Sequence, residues 1–130
     1  MNGVLSVNGY LIGAGSSTPG VTMTKLWENS NPTQSFAARN VTLSSDDYDM
    51  LVVIARMTTE SIVQTSVVTT KGGSGILSAS QTSSNIKCRI FDYTNDTTLA
   101  FRNGANSGSS SSDILIPYQI YGIKLNSSGG

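Results

Sequence analysis

The chain has 130 residues, of which 58 are Ser, Thr, Asn or Gly, and its eight basic side chains balance eight acidic ones. This length fits one domain, and charged residues make up 12% of the chain, about half of the usual ~25%. A neutral, charge-poor chain lacks the basic surface that binds nucleic acid or anionic lipid, so we expect neither partner. Histidine is absent, which excludes Ser-His-Asp and Cys-His catalysis and histidine metal ligands.

The first elements predicted along the chain are two short strands joined by Asn8-Gly9, a dipeptide typical of tight hairpin turns. The stretch from Gly13 to Gly20 is rich in Gly and Ser, so we interpret residues 1–20 as a hairpin followed by a linker. The main domain is then expected at residues 21–125, and residues 126–130 form a flexible tail. Its strands are predicted at residues 21–27, 39–43, 50–57, 61–69, 75–80, 86–93, 97–102 and 114–125.

The regular spacing of short strands and polar turns predicts an all-β fold, namely an antiparallel β-sandwich of jelly-roll-like type. Residues 50–55 are continuously apolar and include three β-branched side chains, which favours a strand that is buried on both faces. Near the end of the chain, Ile116, Tyr118 and Ile120 alternate with Gln119 and Tyr121, which predicts one buried and one less buried face. The residues assigned to the core or to a subunit interface are Leu26, Trp27, Phe36, Tyr48, Ile116 and Ile120.

The acidic residues give little indication of catalysis or of metal binding. Asp46, Asp47 and Asp49 could supply oxygen ligands to Ca²⁺, but the Gly and the distal Glu of an EF-hand are missing. A solvated turn that is capped by Ser44 and Ser45 is the favoured explanation of the cluster. No spacing selects a pair of carboxylates for glycoside hydrolysis. We therefore expect no enzyme activity, no metal site and no cofactor.

The single Cys88 cannot form a disulfide within one chain. It lies between Lys87 and Arg89, which point to the opposite face if this segment is a strand. We therefore interpret Cys88 as a small, partly buried apolar side chain rather than a reactive thiol.

Four polar segments are predicted as loops: residues 28–35, 71–74, 81–85 and 103–112. The last contains Gly104, Gly108 and four consecutive serines, and we interpret it as the mobile tip of a hairpin. Loops cluster at the two ends of a sandwich, and their amide and hydroxyl groups match the hydroxyls of a neutral saccharide. Tyr93 precedes a turn, where its ring could stack on a sugar. The receptor-binding candidates are Asn29, Asn31, Tyr93, Asn95, Asn103 and Asn106. Replacing Tyr93 or Asn103 with Ala is expected to weaken binding by about 1–3 kcal/mol.

Several motifs occur in the order found in a known group of proteins. Leu26-Trp27, Phe36-Ala37-Ala38 and Tyr48-Asp49 follow one another, and the chain closes with Ile116-Pro117-Tyr118-Gln119-Ile120. From about residue 26 to residue 124 the sequence resembles the C-terminal domains of bacteriophage tail-fibre and receptor-binding proteins from phages and prophages of gut bacteria. This resemblance implies a homotrimeric virion protein that contacts the host surface, and it implies no particular binding residue.

The expected partners are further copies of the chain, other virion tail or capsid proteins, and a bacterial surface glycan. The first residues lack a basic segment followed by an apolar one, so synthesis in the bacterial cytoplasm without a signal peptide is expected before incorporation into the virion. No apolar run approaches the ~20 residues of a membrane span, so no membrane insertion is expected. Two alternatives are a structural virion component (a capsid decoration protein or a fibre or baseplate connector) and a carbohydrate-binding or adhesin domain.

Overall fold

The computed structural model describes residues 4–7, 10–13, 20–82 and 85–126. Every regular element among them is a strand, and the two large antiparallel sheets pack against each other, which confirms the predicted all-β sandwich. The described residues contain no helix that could cross a membrane. Twelve strands are present: β1 (Val4–Val7), β2 (Tyr10–Gly13), β3 (Gly20–Glu28), β4 (Arg39–Thr42), β5 (Met50–Thr58), β6 (Gln64–Thr70), β7 (Gly75–Thr82), β8 (Asn85–Asn95), β9 (Thr98–Phe101), β10 (Gly104–Asn106), β11 (Ser109–Ser111) and β12 (Ile114–Asn126).

Strands β1 and β2 pair with each other as the predicted N-terminal hairpin. Their turn residues, most of the predicted linker and residues 127–130 of the predicted tail lie outside the described residues.

The four-stranded sheet has the order β3-β12-β5-β6, and all of its pairs are antiparallel. In the other sheet β8 is the central strand, with β7 along one side and with β9 and β10 along the other. Strands β4 and β11 extend this sheet beyond β9 and β10.

The core lies between the two sheets and is built by alternating inward side chains, as the pleat of a strand requires. Leu51, Val53 and Ala55 of β5 are buried, and they belong to one cluster with Leu77, Phe91 and Leu99 of the other sheet. The predicted residues Leu26, Phe36, Tyr48, Ile116 and Ile120 are buried in the same cluster, whereas Trp27 is half-buried and packs against it.

The predicted loop at residues 103–112 is a hairpin, the form expected for this Gly- and Ser-rich segment, but it also contains the strands β10 and β11, which are joined by the turn Ser107-Gly108. Both turn residues have a positive φ (49° and 92°), the backbone conformation of a two-residue hairpin turn. The first residue of β10 is Gly104. A side chain does not fit at this position, because a Cβ there would lie 2.6 Å from the carbonyl oxygen of Ser111. The predicted loop at residues 81–85 is likewise shorter, since β7 continues to Thr82 and β8 begins at Asn85.

Two further predictions were wrong in detail. Strand β6 begins at Gln64 rather than at residue 61, and Ile62 is 86% exposed in the turn before it. Tyr118 does not share the fully buried state of Ile116 and Ile120, because the register between β12 and β5 shifts between Pro117 and Gln119. An extra residue in one strand reverses the alternation of faces.

Candidate functional site

The sandwich has two distinct ends. At one end β3 begins and β12 finishes, with Gly20 opposite Asn126. We call this end the base. The opposite end, which we call the top, contains residues 59–63, the β10–β11 turn and residues 112–113. The six receptor-binding candidates are divided between these ends.

Tyr93 and Asn95 lie at the base, where β8 turns into β9. The hydroxyl of Tyr93 donates a hydrogen bond to Asp96 Oδ1, and its main-chain N–H donates to Ser74 Oγ at 3.0 Å. Asn95 Oδ1 accepts hydrogen bonds from the main-chain N–H (3.0 Å) and the hydroxyl (3.2 Å) of Thr97. The Tyr93 ring also packs against the core, so its contacts hold the turn in place.

Lys71 connects three loops at the base. Its Nζ donates to the carbonyl oxygen of Asp46 at 2.6 Å, lies 3.7 Å from Asp96 Oδ2, and lies 4.9 Å from the centre of the Tyr48 ring. The hydroxyl of Tyr48 donates to the carbonyl oxygen of Asp96 at 2.7 Å. Burial, followed by the nearby carboxylates of Asp96 and Asp46, raises the pKa of Tyr48, so its phenol is protonated at neutral pH.

The acidic cluster at the base is engaged in contacts with β12. Asp49 Oδ2 accepts a hydrogen bond from the main-chain N–H of Leu125 at 2.7 Å, and Lys124 Nζ lies 3.1 Å from Asp47 Oδ1. The hydrogen bond and the charge of Asp47 raise the pKa of Lys124. Among the described residues, no group of three or more Cys, Asp or Glu side chains is placed to hold a metal ion. The cluster joins the β4–β5 loop to the end of β12.

Asn29 and Asn31 lie on the connection between the two sheets, beside the first half of β12. Asn29 Nδ2 donates to the carbonyl oxygen of Pro117 at 2.9 Å, while its Oδ1 accepts from the main-chain N–H of Asn31 at 2.8 Å. Asn31 is exposed, and its carbonyl oxygen accepts from the N–H of Gln34 at 3.1 Å. This connection reaches the top through the N–H of Phe36, which donates to the carbonyl oxygen of Ser112 at 2.8 Å.

Asn106 and Asn103 belong to the strand that continues from β9 into β10. Asn106 lies opposite Lys87, close to the top, and is half-buried. Asn103 is exposed near mid-height, where its Nδ2 donates to Ser110 Oγ at 2.6 Å. Tyr93 follows Lys87 by six positions in β8, so the two residues are about 20 Å apart at the usual rise per residue. The candidates therefore do not converge on one site.

Chemically, the top presents amides, hydroxyls and apolar side chains beside the exposed carboxylates of Glu60 and Asp113. Its apolar side chains include exposed Ile62 and Val63 in the β5–β6 turn. Such a surface can donate to and accept from hydroxyls while covering apolar ring faces, which suits a neutral polar ligand.

Cys88 is half-buried, on the side of β8 that faces away from the core. As predicted, Lys87 and Arg89 point to the opposite side, and that side is the interior, where both are buried. The sequence pattern indicated that these residues face apart from Cys88 but not which set faces inward. The buried guanidinium of Arg89 is thus a structural group that the sequence analysis missed.

Three comparisons with known proteins identify no relative: no protein-family model, no curated protein and no solved structure matches the chain.

Proposed function

We propose that this chain is a non-enzymatic phage virion module, at the tip of a tail fibre, whose top binds a saccharide on the bacterial surface. The proposal rests on the different composition of the two ends of the sandwich. Strand β3 begins and strand β12 ends at the base, while the described part of the top is formed by internal loops. A module attached through its base presents its top to the host. Exposed polar loops on a rigid sheet framework are common recognition surfaces.

The proposed assembly is a homotrimer that associates with other virion tail or capsid proteins. The sequence resemblance to tail-fibre domains supports this assembly, as does the presence of apolar side chains outside the core. The module is made in the bacterial cytoplasm and acts in the mature virion.

Binding to bacterial cells tests the proposal. Labelled full-length protein is incubated with a panel of gut bacterial isolates, untreated, treated with periodate to oxidise surface sugars, or treated with protease. Binding that periodate abolishes and protease leaves intact supports a saccharide receptor. Binding to none of the isolates contradicts receptor recognition and favours the structural alternative.

A matched pair of variants locates the site. Asn31 lies on the connection that leads to the top, and Asn106 lies close to the top. Replacing both with Ala is expected to weaken cell binding by about 1–3 kcal/mol, the usual effect of interface hot spots. Asn95→Ala removes an exposed amide at the base and is expected to leave binding unchanged. The reverse result would place the receptor site at the base, with Tyr93 and Asn95.

A second candidate function is that of a structural virion component. It is favoured by the side-chain amides of Asn29, Asn95 and Asn103, which are all engaged in hydrogen bonds within the chain. Under this alternative the protein assembles with other virion components and binds neither cells nor saccharides. Virions reconstituted with and without the protein distinguish the two functions, since only receptor recognition makes adsorption depend on the top residues.

A further inference from the structure

The outer face of the four-stranded sheet carries a continuous group of apolar side chains to which all four strands contribute. In one row, Met23 of β3, Ile123 of β12 and Met50 of β5 lie side by side, and Thr70 of β6 ends the row. In the next row, Tyr121 of β12, Val52 of β5 and Val68 of β6 are neighbours, and Lys25 of β3 ends the row. The core faces the other side of the sheet, so these side chains point away from it.

The side chains at the margins of this face are exposed in the single chain. Val21 is 62% exposed, Met23 55%, Val68 56% and Leu125 51%. With four strands about 4.8 Å apart and about 20 Å of β12, the face covers roughly 400 Å² in projection. Contiguous apolar patches of several hundred Å² are the places where soluble proteins associate.

The sequence of β5 gives an independent indication that the face is covered. Its run Met50-Leu51-Val52-Val53-Ile54-Ala55 is apolar at every position, a pattern typical of strands that are buried on both sides. In the single chain its burial alternates, with the inner residues buried and the outer ones only half-buried. The side chains of β5 that need a further surface to become buried are therefore those on the outer face.

The charges on this face are compatible with a second copy of the same surface. Lys25 Nζ lies 2.6 Å from Glu28 Oε1, and Gln119 Nε2 donates to Glu28 Oε2 at 3.2 Å. The hydrogen bond and the charge of Glu28 raise the pKa of Lys25. This ion pair is neutral overall and lies at the β3 edge. The Lys25 ammonium at the end of the Tyr121 row is thus paired with a carboxylate of its own chain, so copies that meet at the apolar rows bring no unpaired like charges together there.

We propose that the outer face of the four-stranded sheet is the surface through which copies of this chain associate. This inference rests on the homotrimer in the proposed function and assigns a surface to it. Four strands are about 19 Å wide, and three such sheets arranged as a triangular prism lie about 5.5 Å from their common axis, close to half of the ~10 Å at which sheets pack. The face therefore has the width at which three copies fill the space around an axis.

The test uses matched pairs of substitutions in the full-length chain. Met23→Lys with Val68→Lys places two charges on the proposed interface. Ile76→Lys with Ile86→Lys places two charges at side chains of similar exposure (57% and 52%) on the outside of the other sheet. Sedimentation velocity measures the mass of each protein at micromolar concentration, and far-UV circular dichroism checks that the strands are retained.

The wild type and the Ile76/Ile86 variant are expected to associate, whereas the Met23/Val68 variant associates about 100-fold more weakly, as after loss of interface hot spots. A wild type that stays monomeric overturns the proposal, and so does association that only the Ile76/Ile86 pair disrupts. A dimer disrupted by the Met23/Val68 pair supports the interface and contradicts the trimer.

A second measurement needs no variant, and so it remains decisive if a variant fails to fold. Methionine oxidation by peroxide depends on exposure. Met23 is expected to oxidise more slowly in concentrated, associated wild-type protein than after dilution, while buried Met57 stays slow under both conditions. A Met23 rate that does not depend on concentration contradicts the proposal. Neither measurement involves bacteria, so failed receptor binding with intact association contradicts only the proposed function.

Discussion

The side chain of Arg89 holds the backbone of Leu115 from across the core. Arg89 Nε donates to the carbonyl oxygen of Leu115 at 2.9 Å, and Leu115 has a φ of 47°, in the left-handed region that branched side chains rarely adopt. The other guanidinium nitrogens donate to the carbonyl oxygens of Ile114 (2.9 Å) and Arg102 (2.7 Å). One buried cation thus fixes the strained start of β12 against β8 and the β9–β10 connection.

Arg89→Met is expected to lower the free energy of unfolding by about 2–4 kcal/mol, because three carbonyl oxygens lose charge-assisted hydrogen bonds in a buried site. Arg89→Lys should also destabilise the fold, since one ammonium cannot reproduce the planar geometry of the guanidinium. Urea unfolding measures both effects. Stability within about 0.5 kcal/mol of the wild type would show that the Arg89 hydrogen bonds do not stabilise the fold.

Burial, and to a smaller extent the charge of Arg39, lowers the pKa of Arg89 from its ordinary value to about 10. The guanidinium is therefore still charged at neutral pH, and burying this charge opposes folding. Because the folded state releases the proton at a lower pH than the unfolded state, this opposition is present below about pH 10 and is relieved as the pH rises from there toward the ordinary pKa of arginine.

Gly104→Ala is expected to destabilise the fold by about 1–3 kcal/mol through overpacking. A Cβ at this position would lie 2.6 Å from the carbonyl oxygen of Ser111 and 2.7 Å from Ile114 Cγ1. Gly20→Ala is the matched control, because its Cβ would meet no atom within 4 Å. Thermal unfolding of both variants is the measurement, and equal melting temperatures would contradict the close packing of β10 against β12.

Tyr48→Phe should lower the free energy of unfolding by about 1 kcal/mol, the usual contribution of one hydrogen bond. The substitution removes the hydroxyl that donates to the carbonyl oxygen of Asp96 but retains the buried ring. Denaturant unfolding measures the loss, and hydrogen exchange at the β8–β9 turn should increase. Unchanged exchange there would show that the hydroxyl does not hold this turn.

Asp92 and Arg102 form a two-point ion pair on the outside of β8 and β9, with N–O distances of 2.8 and 2.9 Å. The hydrogen bonds from Arg102 lower the pKa of Asp92 below its ordinary 3.8. The stability that the pair contributes is therefore present at pH values above the ordinary pKa of Asp92. It is lost as the pH falls through the lower pKa that Asp92 has in the folded protein. Carbon-detected NMR titration should show the low pKa in the wild type and its return to the ordinary range in Arg102→Gln.

The strands with strong apolar patterns could be predicted from sequence, as β5 and β12 show. The β10–β11 hairpin was predicted only as a mobile hairpin tip without strands, because Ser and Gly have little tendency to form strands by themselves. It forms because Ser107 and Gly108 adopt a positive φ, and because Gly104 permits close packing against Ile114. The alternation around Cys88 showed two opposed sets of side chains, but only packing against β12 decided that Arg89 faces inward.

For the candidate site too, short segments of sequence indicated the types of residue but not where these residues lie in the fold. The residue types that suit a saccharide are evident in the sequence, since Asn29, Asn31 and Asn106 lie in polar segments between the predicted strands. Their placement depends on strand order, which brings residues 29–38 beside β12 and sends Tyr93 and Asn95 to the base. Pairings between distant strands are not specified by any short segment.

By itself the sequence determined that the chain is an all-β sandwich, because alternation and β-branched runs act within a few residues and dictate strands locally. It also excluded histidine chemistry through composition alone. Only the tertiary structure decided which polar loops share an end, that Arg89 supports Leu115 through the core, and that the apolar outer positions of β5 lie uncovered beside those of β12. These relationships join residues far apart in the chain, and they exist only once the register of each strand pair is fixed.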